Sequence, residues 1–304
     1  MELHSCLWND VSAFDFSAKD LSAFTDHFPD MTIRVHRDEA SFLSSAKNAR
    51  FVLTWDFPVD WYAHCPNLEL IFTPAAGADW VEPDPDGRVH LVHGTFHGDV
   101  LAESLLHAIL HMNHSIPAMI DNFRKREWDR NLQQDSRLLR SQTVLIIGLG
   151  NIGQRCAEMI GVTGARVIGV RKSPTKAEGD IETHGIDALP ELLPQADHIV
   201  LLLPGEDDTD RFMSPERLSR CKRGAFIYNF GRGNALYSDD LIEYWDIFAG
   251  AFLDVTDEEP LSPDSPLWQL NNIVITPHSS CIYDDYRQLF VAETLEKLKD
   301  YLQE

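Results

Sequence analysis

The chain has 304 residues, 44% of them hydrophobic and 24% charged, and a formal net charge of −22. This length is sufficient for two domains. The acidity argues against nucleic acid and anionic membranes as partners, since both attract basic surface. The longest apolar runs have the length of strands and no targeting signal is apparent, so we expect a cytoplasmic protein without a membrane span. The five cysteines are widely spaced and never paired as C-x-x-C, which argues against a disulfide framework and a zinc site, and we predict no bound metal.

The first 96 residues alternate short apolar runs with helix-compatible stretches. Strands are predicted at Met31–Val35, Phe51–Thr54, Leu68–Thr73 and Val89–His93, and helices near Leu21–His27, Ala40–Ala46 and Pro58–His64. Such alternation is typical of βαβ units and predicts a parallel sheet.

A turn of small residues, Thr73–Trp80, follows the third of these strands. Turns at the carboxyl ends of parallel strands are where open α/β sheets bind ligands, so this turn is a candidate for ligand binding. The segment alone is equally compatible with a plain surface loop.

Apolar residues recur at helical spacing from Val100 to Met112, which predicts a helix. Because this helix follows one complete α/β region and precedes another, we expect it to connect two domains and to offer a second face to a partner subunit. The basic run Arg124–Arg126 that comes next is interpreted as a solvated face.

A glycine-rich turn stands at the centre of the chain. The β-prone residues Thr143–Ile147 lead directly into Gly148-x-Gly150-x-x-Gly153, and an apolar-periodic segment follows. In the order strand, turn, helix, this is the dinucleotide-binding fingerprint, with the helix N-terminus directed at the pyrophosphate. The alternative is a glycine-rich turn in some other α/β protein.

Further strands predict that a parallel Rossmann sheet continues to about Thr276. They are expected at Arg166–Val170, His198–Leu203, Ala225–Asn229, Ala249–Asp254 and Ile273–Ile275. After the first of them, where NAD enzymes carry an acid for the ribose hydroxyls, this chain has Arg171, Lys172 and Ser173. Two cations and a hydroxyl would attract a 2′-phosphate, so we predict that NADP(H) is preferred and NAD(H) possible. The alternative is a set of exposed basic residues on a loop.

Three later segments each follow a predicted strand. Asn229–Gly233 places an arginine between two glycines, Leu253–Leu261 ends in a cluster of acids before a proline, and Thr276–Ser279 contains a histidine. Each has a simple alternative as an ordinary surface residue or loop. Their shared position at the carboxyl ends of one sheet indicates a common site.

These residues resemble the D-isomer-specific 2-hydroxyacid dehydrogenases over nearly the whole chain. The matching segments are Ala75–Asp79, Ala102-Glu103, Gly148–Gly153, Leu202–Pro204 with Thr209, Asn229–Gly233, Leu253–Leu261, Ser265–Trp268 and Thr276–His278. The resemblance implies an α/β fold of two Rossmann-like, doubly wound parallel-sheet domains. The nucleotide domain, residues 97–280, would be inserted into a discontinuous, flavodoxin-like substrate domain, residues 1–96 and 281–304.

The resemblance also assigns roles. Arg232 would bind the substrate carboxylate and carbonyl, His278 would be the acid/base, and Glu259 would pair with the histidine. Backbone N–H groups at Ala76 and Gly77 would hold the carboxylate, and Asp254 would meet the nicotinamide carboxamide. The remaining cofactor contacts implied are Gly148, Gly150, Asn151, Ile152, Gly153, Pro204 and Thr209. The family departs from this chain at Glu243–Gly250, which is shorter and more aromatic here, and at Thr256.

The chemistry of these groups fits the reduction of a 2-oxo acid. Such a reaction needs a hydride donor, a proton donor for the forming alkoxide and a cation for the carboxylate, which NADPH, His278 and Arg232 would supply. We expect a small substrate such as glyoxylate, hydroxypyruvate or pyruvate, and a homodimer by resemblance. Trp55 and Tyr283 are candidate pocket residues, although Trp55 is equally compatible with the core.

Two other functions share this fold. Formate dehydrogenases resemble the chain but carry glutamine as the partner of the histidine, which Glu259 disfavours. Corepressors of the C-terminal-binding-protein type use the nucleotide as a sensor, and retention of arginine, glutamate and histidine does not separate them from an enzyme. A turnover assay would.

Overall fold

The computed structural model describes residues 1–77, 80–132, 134, 136–173 and 181–303. The chain divides into two compact units, Met1–His97 with Ile282–Glu304 and Gly98–Cys281. Each division lies one residue beyond the boundary predicted from the sequence. Both units are α/β with parallel sheets, which confirms the predicted fold class.

The elements are numbered in chain order. The described strands are β1 (Glu2–Cys6), β2 (Thr32–Val35), β3 (Phe51–Thr54), β4 (Leu70–Thr73), β5 (His90–His93), β6 (Thr143–Ile147), β7 (Arg166–Val170), β8 (Glu182–His184), β9 (His198–Leu201), β10 (Ala225–Asn229), β11 (Phe248–Leu253) and β12 (Ile273–Ile275). The described α-helices are α1 (Ser22–His27), α2 (Glu39–Leu43), α3 (His97–Asn113), α4 (Ile116–Lys125), α5 (Asn151–Gly161), α6 (Leu189–Leu192), α7 (Pro215–Ser219), α8 (Ser238–Glu243) and α9 (Tyr286–Gln303).

The first unit contains a five-stranded parallel sheet in the order β2-β1-β3-β4-β5, the flavodoxin-like order. Strands β3 and β4 are buried along their whole length because elements cover both faces of the sheet. The C-terminal helix α9 belongs to this unit. Its Glu293 accepts hydrogen bonds from the backbone N–H groups of Thr95 at 2.9 Å and Phe96 at 2.8 Å.

The second unit contains a seven-stranded parallel sheet in the order β12-β11-β10-β9-β6-β7-β8. Counted within the unit, this is the Rossmann order 3-2-1-4-5-6 with one further strand at the edge. Alternate residues of β6 enter two different cores, Leu145 and Ile147 on one face and Val144 and Ile146 on the other. Strand β6 therefore lies in the interior of the sheet, and the turn after it lies at the point where the strand order reverses.

Some elements differ from the sequence prediction. Strand β1 was not predicted because its buried face includes His4 and Ser5, and β8 was not predicted because Glu-Thr-His is a short polar edge strand. Helix α4 was also not predicted. The predicted helix Pro58–His64 is a 3-10 helix over Val59–His64, and the segment before β11 forms a 3-10 turn, Trp245–Ile247, that leads directly into the strand.

None of the helices that the structure describes has the length and hydropathy needed to cross a bilayer.

Candidate active site

The turn between β6 and α5 is closed by two glycines. Gly148 has φ +107°, and a Cβ there would lie 2.4 Å from the carbonyl oxygen of Leu202. A Cβ at Gly153 would lie 2.2 Å from the carbonyl oxygen of Gly148, so the helix packs against the strand at a distance only glycine permits.

Gly150 is the N-cap residue of α5, and no side chain caps the helix there. A Cβ at Gly150 would meet no described atom within 4 Å. The first N–H groups of α5, beginning with Asn151 and Ile152, therefore have no capping side chain at the positive end of the helix dipole. This arrangement fits the pyrophosphate of a dinucleotide.

The loop after β7 carries the exposed side chains of Arg171, Lys172 and Ser173. The backbone N–H of Arg171 donates to the carbonyl of His184 at 3.1 Å, which continues the β7–β8 pairing. The Lys172 ammonium forms an ion pair with the Asp208 carboxylate. Their mutual hydrogen bond raises the pKa of Lys172 and lowers that of Asp208.

The segment after β9 is folded around Thr209, which is buried. Its hydroxyl donates to the carbonyl of Pro204 at 2.6 Å and accepts from the backbone N–H of Glu206 at 3.1 Å. The Thr209 hydroxyl therefore closes this loop by bonding to the backbone of Pro204 and Glu206.

The segment after β10 packs closely between the loop after β9 and the loop after β11. A Cβ at Gly231 would lie 2.5 Å from the carbonyl oxygen of Leu203, and a Cβ at Gly233 would lie 1.8 Å from that of Thr256. The Asn229 amide accepts from the N–H of Gly231 at 3.2 Å and donates to the carbonyl of Arg232 at 3.1 Å. Glycines are thus required on both sides of Arg232, and the Asn229 amide holds the backbone of this segment.

Asp254 follows β11 and is 2% exposed. Its carboxylate accepts from the Thr276 hydroxyl at 2.7 Å and from the backbone N–H groups of Ser279 at 2.9 Å and Ser280 at 3.1 Å. Its carbonyl accepts from the N–H of His278 at 2.8 Å. Asp254 therefore anchors the segment that carries the histidine. Sequence reasoning missed this contribution because most of the donors are backbone N–H groups.

His278 has a left-handed backbone with φ 49°. Its Nδ1 lies 3.0 Å from Oε2 of Glu259, and the other oxygen of that carboxylate accepts from the N–H of Thr256 at 3.2 Å. Because a carboxylate can only accept, Nδ1 carries a proton, and Nε2 is the nitrogen that can exchange a proton with a bound molecule. The imidazole is 47% exposed, which makes it accessible to such a molecule.

The predicted substrate contacts belong to the first unit. Trp55 is partly buried, donates from Nε1 to the carbonyl of Phe14 at 3.2 Å and stacks on Tyr286 with ring centroids 6.1 Å apart. Ala76 is exposed and Gly77 half-buried in the turn after β4; the last residues of that motif, Ala78 and Asp79, lie outside the described residues. Tyr283, which is half-buried, precedes α9.

The second unit also contains the region that is similar to a known family. Residues 106–280 match the family described as D-isomer specific 2-hydroxyacid dehydrogenase, NAD binding domain. The chain belongs to this family. It is 28% identical over 248 residues to glyoxylate/hydroxypyruvate reductase B of Shigella flexneri, covering 78% of this chain and 76% of the relative.

Solved structures of family members are similar along the whole chain. A D-isomer specific 2-hydroxyacid dehydrogenase from Xanthobacter autotrophicus Py2, in complex with NADPH, has a TM-score of 0.82 and 26% identity, covering 98% of this chain and 95% of that one. An NADPH-dependent glyoxylate/hydroxypyruvate reductase from Sinorhizobium meliloti, in complex with NADP, has a TM-score of 0.79 and 25% identity over the same shares. This member of the D-2-hydroxyacid dehydrogenase family is an NAD(P)-dependent oxidoreductase.

Proposed function

We propose that the chain reduces a small 2-oxo acid to the D-2-hydroxy acid with NADPH. The observation that supports this most is the His278–Glu259 pair, which lies at the carboxyl edge of the same sheet as the glycine turn after β6. A group that exchanges protons and a turn that fits a dinucleotide are what a hydride-transfer enzyme needs within one domain.

The residues of the second unit have separate roles in the proposed reaction. When bound, the nicotinamide supplies a hydride to the carbonyl carbon. His278 donates the Nε2 proton to the carbonyl oxygen as it becomes an alkoxide, and the neighbouring Glu259 carboxylate stabilises the charged imidazole and fixes its orientation. The Arg232 guanidinium binds the substrate carboxylate and polarises the carbonyl. In the oxidative direction neutral His278 accepts the hydroxyl proton.

The nucleotide is assigned to the turn and loops around β6. Gly148, Gly150, Asn151, Ile152 and Gly153 would hold the pyrophosphate. Pro204 and Thr209 would line one side, and Asp254 would meet the nicotinamide carboxamide through its less occupied oxygen, Oδ2.

NADP(H) is proposed as the preferred cofactor, with NAD(H) as the second. Arg171, Lys172 and Ser173 stand where an NAD enzyme places an acid, and cations at this point favour the 2′-phosphate. The Xanthobacter and Sinorhizobium relatives, in complex with NADPH and NADP, support the same preference.

Glyoxylate, hydroxypyruvate and pyruvate are the proposed substrates. The Shigella relative is named for the first two of these acids. Trp55, Ala76, Gly77 and Tyr283 of the first unit are proposed to contact the substrate, by resemblance to the family. Glu259 in place of glutamine weighs against formate oxidation.

Purified protein should therefore consume NADPH with at least one of these acids and yield the D-enantiomer of the product where the product is chiral. Tight NADPH binding without turnover on any of them would favour a nucleotide-sensing protein instead.

We further propose that two copies of the chain associate through α4 and the segment after it. None of the residues of α4 is buried, and Phe123 and Trp128 are 81% and 92% exposed. Contiguous exposed apolar groups mark an interaction surface, and Phe123 and Trp128 are separated by only four residues of the chain. Light scattering on the wild type and on a Phe123→Ser, Trp128→Ser variant should show a dimer and a monomer respectively.

A further inference from the structure

The ion pair between Lys172 and Asp208 joins the two loops that flank the dinucleotide turn. Lys172 follows β7, and Asp208 lies in the short 3-10 helix Asp207–Thr209 that comes after β9. Strands β7 and β9 are the two neighbours of β6 in the sheet. The loops carrying the two charges therefore lie on either side of the strand whose following turn would hold the pyrophosphate.

Among the described residues of these two loops, the charge is not net positive. Arg171 and Lys172 bring two positive charges, and the segment after β9 brings Glu206, Asp207 and Asp208, all exposed. A 2′-phosphate carries about −1.5 to −2 charges near neutral pH, so it is repelled by any carboxylate close to its cation. Of these three acids, Asp208 is the one whose carboxylate accepts a hydrogen bond from the Lys172 ammonium.

The position of Asp208 is defined by its loop. Its helix is closed by a capping box in which the Glu206 side chain accepts from the backbone N–H of Thr209 and the Thr209 hydroxyl accepts from that of Glu206. Lys172, by contrast, is 75% exposed on a flexible side chain. To reach a 2′-phosphate, the Lys172 ammonium would have to leave the Asp208 carboxylate, which the capping box of the loop after β9 holds in place.

We infer that Asp208 is a specificity-determining residue, a built-in counter-ion that competes with the 2′-phosphate for Lys172 and moderates the preference for NADPH over NADH. The inference rests on the proposed use of Arg171, Lys172 and Ser173 as the 2′-phosphate site. Removing the carboxylate frees Lys172 for the phosphate and removes a repulsion. A nucleotide without the 2′-phosphate gains nothing from the change.

The test is calorimetric binding of adenosine 2′,5′-bisphosphate and adenosine 5′-monophosphate to the full chain, with no turnover required. Asp208→Asn should tighten binding of the bisphosphate by about three- to tenfold at low ionic strength and leave the monophosphate within twofold. Asp207→Asn is the matched control, since it removes the same charge from the same short helix without touching Lys172. It should change bisphosphate binding by less than half as much.

A double-mutant comparison tests whether the gain in bisphosphate affinity depends on Lys172. In a Lys172→Gln background, Asp208→Asn should lose most of its gain. An unchanged or weaker bisphosphate affinity in Asp208→Asn overturns the inference, and so does an equal gain in Asp207→Asn or a gain that survives without Lys172. The proposed cofactor preference is judged separately, by whether the wild type binds the bisphosphate more tightly than the monophosphate.

Discussion

The backbone N–H of Ser280 donates to both carboxylate oxygens of Asp254, at 3.1 Å each. With the bonds from Thr276 and Ser279, this contact makes one buried side chain the anchor of the loop that carries His278. The position of the proposed acid/base therefore depends on a residue that follows a different strand.

Replacing Asp254 with asparagine should disturb this anchor. With its oxygen in the Oδ1 position, the amide still accepts from Thr276, Ser279 and Ser280, but its NH₂ group would then face the Ser280 N–H. The negative charge that strengthens all of these bonds is also lost. We expect the free energy of unfolding to fall by about 1–3 kcal/mol and kcat for 2-oxo acid reduction by roughly 10- to 100-fold. Urea unfolding and steady-state rates measure the two effects. Wild-type kcat in Asp254→Asn would show that the anchor is not needed to place His278.

Glu259→Gln tests the partner of the histidine. Glutamine keeps the shape but lacks the charge that stabilises an imidazolium, so kcat should fall by roughly 10- to 100-fold while the dissociation constant of NADPH stays within twofold. Glu258→Gln is the matched control, because Glu258 is the adjacent acid and its side chain does not contact His278 through any bond in the described residues. A larger loss in Glu258→Gln than in Glu259→Gln would refute the assignment.

Two glycines of the fingerprint should behave differently when changed to alanine. At Gly150 a Cβ would enter open space, so Gly150→Ala should fold normally but obstruct the phosphates and weaken NADPH binding by about tenfold or more. At Gly153 it would lie 2.2 Å from a carbonyl oxygen, so Gly153→Ala should lower stability. Thermal unfolding and NADPH titration separate the two results. Normal NADPH affinity in a folded Gly150→Ala protein would place the pyrophosphate elsewhere.

Acid should destabilise the second unit through His198. Burial lowers the pKa of this histidine to about 4, and its Nδ1 lies 2.9 Å from the Tyr228 hydroxyl. In the unfolded chain His198 is protonated as the pH falls below about 6.5, whereas in the folded chain it is protonated only near pH 4. Its contribution to the free energy of unfolding therefore decreases progressively as the pH falls through this window. Between pH 7 and 5 the contribution is about 1–2 kcal/mol.

His198→Gln should therefore reduce the loss of unfolding free energy between these two pH values, whatever its effect at neutral pH. Urea unfolding at both values gives the comparison. The same pH dependence in variant and wild type would mean that His198 does not cause it.

Most of both sheets was predictable because their strands are apolar on both faces and separated by turn residues. Arg166–Val170, Ala225–Asn229 and Ile273–Ile275 have the predicted bounds. Strand β1 was not predictable, since burial of His4 depends on its contact with His36, 3.0 Å away in the residue that follows β2. Local sequence patterns do not contain contacts of this range.

The candidate active site likewise has residues that local sequence patterns reveal and contacts that they do not. Gly148, Arg232 and His278 follow strands and could be found by position in the sequence. The pairing of Lys172 with Asp208 joins residues 36 positions apart and depends on β6 lying between β7 and β9. The anchoring by Asp254 depends largely on backbone N–H donors, which give no signal in the sequence. Neither was visible before the strand order was known.

His278 is proposed to transfer the proton during reduction of a 2-oxo acid. The most direct measurement is kcat for glyoxylate and hydroxypyruvate reduction by the wild type and His278→Ala, with the dissociation constant of NADPH determined for both. We expect His278→Ala to lower kcat by roughly 10²- to 10⁴-fold and to leave NADPH binding unchanged within twofold, because the nucleotide is assigned to the turn after β6. Wild-type kcat in His278→Ala would show that another group transfers the proton.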